Sequence, residues 1–157
     1  GGSALLTLPV PGLTLADLQP LTDALLRCGA TINEVNAVRK HCSGIKGGNL
    51  ARLAAPAQMI TLVLSDVVGD PLDVIASGPT VADGTSLADA RAVLQRYGIT
   101  PPASVAAPLA KADSETPKPG DPRLADSRFV LVSRPPAFTI GSIAMVMPAA
   151  RRAPRFG

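Results

Sequence analysis

Residues 59–80, Met59 to Thr80, read MITLVLSDVVGDPLDVIASGPT, and the reading of this stretch decides the fold. Ile60 to Leu64 is an apolar run that stops abruptly at Ser65-Asp66, and Gly69 and Asp70-Pro71 follow as turn signals. A short run of β-formers bounded in this way reads as a buried strand. Near-continuous apolarity, without in/out alternation, predicts a parallel strand covered on both faces. In open parallel sheets, ligands collect outside the carboxyl ends of the strands. Asp66 stands at that end, with Asp70 and Asp73 close behind, so chemistry is expected there. A second apolar patch, Val74–Ala76, leads into Ser77-Gly78-Pro79-Thr80.

Helices flank this strand on both sides in sequence. Thr14 and Asp17 have capping-box spacing, Leu15, Leu18, Leu21 and Leu25 form an apolar stripe, and Gly29 fits the stop. Pro20 inside that stretch predicts a kink or a late start. Thr31 and Glu34 repeat the capping box, and Ile32, Val35, Val38, Cys42 and Ile45 recur at helical spacing. Ser86 and Asp89 open a helix carrying Leu87, Ala90, Val93, Leu94 and Tyr97, with a stop at Gly98. Ala103–Ala112 reads as a short helix around Pro108, Asp113–Pro122 as a polar loop, and Arg128–Ser133 as a further strand. Strand, helix and strand in this order indicate an α/β fold, layered with flanking helices on a parallel sheet core.

The second helix has an unusual polar content: Asn36, Arg39, Lys40, His41, Ser43 and Lys46, with Gly47-Gly48 after it. If the helix ran through, Arg39 and Lys46 would lie two turns apart on one side, roughly 10 Å from each other. Such a pair could straddle a phosphate chain. On spacing alone, a solvated basic face at a helix C-terminus is the simpler reading. His41 by itself reads as a satisfied histidine. Gly1-Gly2-Ser3 before Ala4-Leu5-Leu6 could present backbone N–H groups to an anion, or be a linker.

Bulk properties narrow the classes. The chain has 157 residues, 46 % of them apolar and 17 % charged, enough for one folded domain with a real core. Aromatics are 3 %, with no Trp, which argues against a base-stacking nucleic-acid surface. The formal charge of +3 is uneven. Arg134, Arg151, Arg152 and Arg155 belong to a segment, 134–157, without an acid, so the body before it is near neutral. Arginines at one end with neither aromatics nor a binding motif read as a solvated tail. Pro135-Pro136 blocks the helix that a crossover would need next, and no helical period follows. Cys28 and Cys42 lack metal-motif or disulfide spacing and read as buried free thiols. No apolar stretch reaches the roughly 20 residues of a membrane span, so the expectation is a cytoplasmic protein without membrane partners.

Four stretches taken together resemble the glycerate 2-kinase family, whose members also carry the name hydroxypyruvate reductase. They are GGSALL at 1–6, INEVNAVRKHCSGIKGGNLA at 32–51, SDVVGDPLDVIASGPTVAD at 65–83 and ETPKPGDP at 115–122. The resemblance covers residues 1 to about 133 and implies an incomplete Rossmann-like layered domain, part of the family's N-terminal domain. Residues 134–157 then form a divergent basic tail outside it. It implies ATP-dependent transfer of a phosphoryl group to the 2-hydroxyl of D-glycerate, with Mg²⁺, and with a hydroxyacid and a nucleotide as small-molecule partners. It makes Gly1, Gly2 and Ser3 a native turn. By the same resemblance, Asp66 and Lys46 are catalytic candidates. Gly1, Gly2, Ser3, Arg39, Lys40, Ser77, Gly78 and Thr80 become substrate or nucleotide contacts, and Asp66 and Asp70 metal ligands. Family chains extend beyond both ends of this one, which predicts that it is inactive alone. Two alternatives are a hydroxypyruvate reductase, for which no GxGxxG fingerprint appears, and a non-catalytic ligand-binding remnant.

Overall fold

The computed structural model describes residues 2–65, 69–133 and 143–148. Three of its helices start where Ser or Thr stands three residues before an acid. Thr14 caps α2 (Leu15–Arg27), Thr31 caps α3 (Ile32–His41) and Ser86 caps α5 (Leu87–Arg96), each with both arms of the capping box formed. At α3 the Thr31 hydroxyl accepts from the Glu34 N–H at 3.3 Å, while the Thr31 N–H donates to the Glu34 carboxylate at 2.8 Å. These bonds satisfy donors that a helix start otherwise leaves unpaired. Pro20 does not delay α2, which begins directly after its cap. Two short helices have no such signal: α1 (Gly2–Leu5) and α4 (Asn49–Ala54), the latter entered through Gly48 in the left-handed region. Last comes α6, Ala103–Ala110, with Pro108 inside it.

The main apolar core lies among helices. Leu21 and Leu25 of α2, Val35 and Val38 of α3, and Leu87, Ala90, Val93 and Leu94 of α5 are buried together with Val105 and Leu109 of α6. The predicted stripes are correct in their middles and fail at their ends. Leu15 and Ile32, each the first residue of its helix, are 48 % and 59 % exposed. Cys42 and Ile45 are buried, but the helix has already ended at His41. Cys28 is exposed, contrary to expectation, whereas Cys42 is buried and its thiol is pushed up to about 12 by that burial.

The sheet is smaller and less uniform than expected. β1 (Met59–Ser65) runs parallel to β2 (Ser127–Ser133) on one side and antiparallel to β3 (Ile143–Pro148) on the other, giving the order β2-β1-β3. The architecture is therefore mixed α/β and mostly helical. β3 falls in the segment in which no element was expected. Residues 134–142 and 149–157, including all four tail arginines, lie outside the described residues.

β1 is not covered on both faces. Met59, Thr61, Val63 and Ser65 are buried, whereas Ile60 is 39 % exposed. The parallel register sets Leu62 beside Val130, which is 48 % exposed, on the same face as Ile60. Alternation is present in the structure but hidden in hydropathy, because apolar residues occupy the open face and Thr61 and Ser65 the buried one.

If the helical layer is the core, Leu25→Ala should cost about 2–5 kcal/mol. Leu26→Ala, next to it but 59 % exposed, should stay within about 0.5 kcal/mol of the parent. Urea denaturation of both variants measures this. Equal midpoints would place the core elsewhere.

Candidate functional site

The polar residues of α3 and the turns behind it are sorted by depth. Asn36, Lys40, His41, Ser43 and Lys46 are all buried, and Arg39 is half-buried, so the solvated basic face is not what forms. Ser43 ties the turns together: its hydroxyl accepts from the N–H groups of Ile45 and Lys46, and its carbonyl accepts from the Asn49 amide at 2.7 Å. Because α3 stops at His41, Lys46 is not two helical turns above Arg39. The two nevertheless line one cavity.

Lys46 closes the first cluster. Its ammonium donates to the Ser3 carbonyl at 2.6 Å, to the Ser3 hydroxyl at 3.0 Å and to the Leu6 carbonyl at 3.0 Å. All three ammonium donors are thus used to hold α1 and the turn that ends it. The Ser3 hydroxyl also lies 2.8 Å from that of Ser77, which in turn donates to the Asn36 amide oxygen at 3.4 Å. Burial pushes Lys46 down to about 8, with the nearby Arg39 charge adding to the shift.

Ser77 sits in a strained turn. Ala76, Ser77 and Gly78 have φ of 53°, 63° and 57°, and only the last is glycine. Left-handed non-glycine residues persist where their surroundings over-determine them. Here the Gly47 and Gly48 N–H groups donate to the carbonyls of Ser77 and Gly78 at 2.9 and 2.7 Å, and Leu50 N–H donates to Pro79. Gly48 has φ +82°, and a Cβ on it would stand 2.9 Å from the Val81 carbonyl. Thr80 is buried and accepts from the Thr61 hydroxyl at 3.0 Å, joining this turn to β1.

Lys40 belongs to a second cluster. It donates to the fully buried Asp83 at 3.1 Å and has Asp73 4.0 Å away. Asp83 also accepts from the Thr85 N–H and hydroxyl and from the Thr116 hydroxyl. Burial raises its carboxyl, but these bonds and the Lys40 charge outweigh it and hold the group below the ordinary value. His41 has both ring nitrogens facing acceptors, the Ala37 carbonyl at 2.7 Å and Glu115 at 2.8 Å. Glu115 accepts as well from the first N–H of α5, at Leu87, and pairs with Lys118 at 2.6 Å. Against the upward pull of burial, these partners hold it at about 2. Asp83 and Glu115 were given no role in sequence, and Asn36 was noted only among the polar residues of the second helix. Only Asp83 leaves a local trace, the Asp-x-Thr pattern of a side chain that turns back onto the N–H two residues on.

Arg39 is the exception among these cations. Among the described residues, no hydrogen bond or ion pair reaches its guanidinium, and burial alone lowers its ordinarily high value. It lines a cavity of about 420 Å³ between α1, α2 and α3, with Lys46, Ser43 and several leucines. Asp66 and Gly1 lie outside the described residues; Gly2 opens α1. Asp70 is half-buried with φ 47°. Among the described residues no three His, Cys, Asp or Glu side chains gather as a metal cage, and no helix is long and apolar enough to cross a membrane. Mg²⁺ commonly takes only one or two carboxylates and completes its shell with water and phosphate, a demand that a donor such as Asp70 fits. The structure therefore brings together Ser3, Lys46, Ser77 and Gly78, sets Arg39 beside them on the cavity, and sends Lys40 and Thr80 to other partners.

A family model described as a domain of unknown function, DUF4147, matches residues 1–110. A protein of Agrobacterium vitis named as a hydroxypyruvate reductase is 56 % identical over 121 residues, 77 % of this chain and 27 % of that protein. The D-glycerate 2-kinase of Thermotoga maritima is 51 % identical over 118 residues, 75 % of this chain and 28 % of the enzyme. A crystal structure of glycerate kinase from the same organism superposes with a TM-score of 0.75 at 47 % identity, covering 83 % of this chain and 30 % of that one. The chain thus spans between a quarter and a third of the length of these relatives.

The buried Lys40–Asp83 pair predicts a specific asymmetry. Asp83→Ala, which leaves the Lys40 charge buried without its carboxylate, should destabilise the fold by about 3–5 kcal/mol. Adding Lys40→Met to that variant should recover a substantial part of the loss. Chemical denaturation of Asp83→Ala, Lys40→Met and the double variant decides it, and additive losses would mean that the residues do not act as a pair.

Proposed function

Since the chain belongs to the DUF4147 family, the N-terminal domain of glycerate kinases, we propose that it supplies the anion-binding part of a phosphoryl-transfer site. The acceptor in this reading is the 2-hydroxyl of D-glycerate and the donor is ATP. The observation that carries it is the half-buried Arg39 guanidinium, partnerless among the described residues, on a cavity beside the Ser3–Lys46–Ser77 cluster. Phosphoryl transfer asks a protein chiefly for positioning and for neutralisation of charge. Arg39 answers the second need with a planar fork suited to a carboxylate or phosphate. Lys46, expected to be catalytic, enters this reading by holding the Gly-Gly-Ser turn against Ser77 and by adding charge to the cavity wall. The strained Ala76–Gly78 turn fixes the Ser77 hydroxyl for the same purpose.

Asp66 and Asp70 are the proposed ligands of Mg²⁺, which would supply charge neutralisation at the phosphates. Gly1, Gly2, Gly78 and Thr80 are proposed as the backbone frame around the anion. The sheet is proposed to be one edge of a Rossmann-like layered domain, with the segment beyond Ser133 a divergent addition. Catalysis itself is a proposal about the longer enzyme of which relatives give the plan.

Calorimetric titration of the chain with D-glycerate and with ATP–Mg²⁺ tests the reading. Arg39→Met should weaken binding of at least one of them about 10–100-fold, the range of a lost charge-assisted hydrogen bond. Lys40→Met should lower stability and leave affinity unchanged at a temperature where the variant is folded. Unaltered affinity in Arg39→Met would remove the basic helix from the site. NADH oxidation by the chain with hydroxypyruvate, in the absence of ATP, would replace the kinase reading by the reductase one.

The pH dependence has a definite sign. Lys46 is held at about 8, below the ordinary lysine value, so its charge is present below that pH and lost above it. Arg39 remains charged throughout. Anion affinity should therefore fall as pH rises from 7 to 9, and Lys46→Arg should flatten the fall. A flat profile in the parent chain would detach Lys46 from anion binding.

A further inference from the structure

Lys46 and Ser3 stand in a relation that holding a turn does not require. Of the three acceptors around the Lys46 ammonium, the Ser3 and Leu6 carbonyls can only accept, at 2.6 and 3.0 Å. The third, the Ser3 hydroxyl at 3.0 Å, can accept or donate. A neutral Lys46 amine therefore loses none of these contacts. Its two N–H bonds stay on the carbonyls, and its lone pair takes the Ser3 hydroxyl hydrogen. Burial favours that neutral form and holds Lys46 at about 8, with the Arg39 charge adding to the effect. Arg39 of α3 and Asp23 of α2 are the other charged groups on the cavity that Lys46 lines. Ser3 is half-buried and Ser77 fully buried, so Ser3 is the hydroxyl that a reagent reaches. Ser77 lies 2.8 Å from the Ser3 oxygen and 3.4 Å from its Asn36 acceptor, so its hydrogen can turn to the nearer partner. A serine with an amine base on one side and a fixed hydroxyl donor on the other has the surroundings of an activated nucleophile.

We propose that Ser3 and Lys46 form a nucleophile–base dyad, and that the chain accepts the acyl group of an activated ester on the Ser3 oxygen. In this step the Ser3 oxygen bonds to the acyl carbon, and its proton passes to the Lys46 amine. The bond from the acyl carbon to the alcohol oxygen breaks, and the alcohol part leaves as its anion with that electron pair. The product is an ester of Ser3 beside a Lys46 ammonium, so atoms and charge balance. Ser77 donates to the Ser3 oxygen while the proton leaves it. This activity stands apart from phosphoryl transfer and does not rest on Arg39 as an anion anchor. A positioned general base contributes about 100–10,000-fold to such a step.

The test is incubation of the chain with p-nitrophenyl acetate, reading p-nitrophenolate release and locating the acetyl group by peptide mass spectrometry. Acetyl is expected on Ser3, formed at least about 100-fold faster than on any other hydroxyl of the chain. Its rate should rise with pH and level off above about 8, where the amine is free. Ser3→Ala should lose this acetyl group. Lys46→Arg, which keeps the charge and removes the base, should slow Ser3 labelling at least about 100-fold. Should Lys46→Arg not fold, the pH profile of the parent chain decides. Acetyl found only on lysines or on Cys28, an exposed thiol, would overturn the proposal. Labelling of Ser3 that climbs with hydroxide without levelling would overturn it too, because no base would then be assisting. Neither result touches the phosphoryl-transfer reading, whose test is the binding of D-glycerate and ATP–Mg²⁺.

Discussion

Lys40 and Asp83 face each other with both charges withdrawn from water, at 3 % and 0 % exposure. Removing such ions from water costs several kcal/mol each, and their attraction offsets this only when the remaining lone pairs are also used. At Asp83 they are: Thr85 and Thr116 supply three further donors. The consequence is geometric. Asp83 fixes the turn before α5 through Thr85 and the 115–118 segment through Thr116, so two loops distant in sequence are anchored to α3. It also sets what can stand beside it. A Cβ on Gly47 would lie 3.1 Å from the Asp83 carboxylate and 3.2 Å from the Lys40 Cβ. Gly47 is left-handed and small because the ion pair occupies the adjoining space.

The strained turn follows from Gly47 and its neighbour. Their N–H groups are the donors that hold the Ser77 and Gly78 carbonyls. Left-handed Ala76 and Ser77 each cost about 1–3 kcal/mol, so the turn exists only while those bonds are aligned. Gly78 could not carry a side chain either, since its Cβ would meet the Asp73 backbone at 3.0 Å. Strain is thus concentrated where Ser3, Lys46 and Ser77 converge. An ordinary turn would leave the Ser77 hydroxyl pointing where its own backbone preferred. This one points where the ion pair, by way of two glycines, sends it.

How much of this could be read in the sequence depends on the range of the interaction. The starts of α2, α3 and α5 were legible because a capping box is complete within four residues. α4 was not, since it is entered through Gly48 without a side-chain cap. The helical period of α3 carried on to Cys42 and Ile45 because residues in the following turns are buried for other reasons, and periodicity cannot tell a helix from a buried turn. In β1 the alternation vanished because Thr61 spends its hydroxyl on Thr80, and so occupies the covered face that hydropathy assigns to an aliphatic residue. The site was legible as a list of residue types and not as a set of roles. Lys40 and its carboxylate are 43 residues apart, as are Lys46 and Ser3. Nothing local distinguishes these lysines from Arg39.

That distinction is made by the turn of the helix and by the chemistry of the two side chains. Successive residues on α3 point about 100° apart, so Lys40 is carried toward Asp83 while Arg39 faces the cavity beneath α1 and α2. A lysine buried without a carboxylate partner is at risk of neutrality, as Lys46 shows, held at about 8 even with three acceptors around it. The half-buried Arg39 guanidinium is lowered from a starting value so high that it stays charged at any physiological pH. The fold therefore assigns the lysines to internal partners, Lys40 to the Asp83 carboxylate and Lys46 to three neutral acceptors. Among the described cations of α3 and its turns, it leaves the guanidinium, charged without a carboxylate partner, to face the space a ligand would fill.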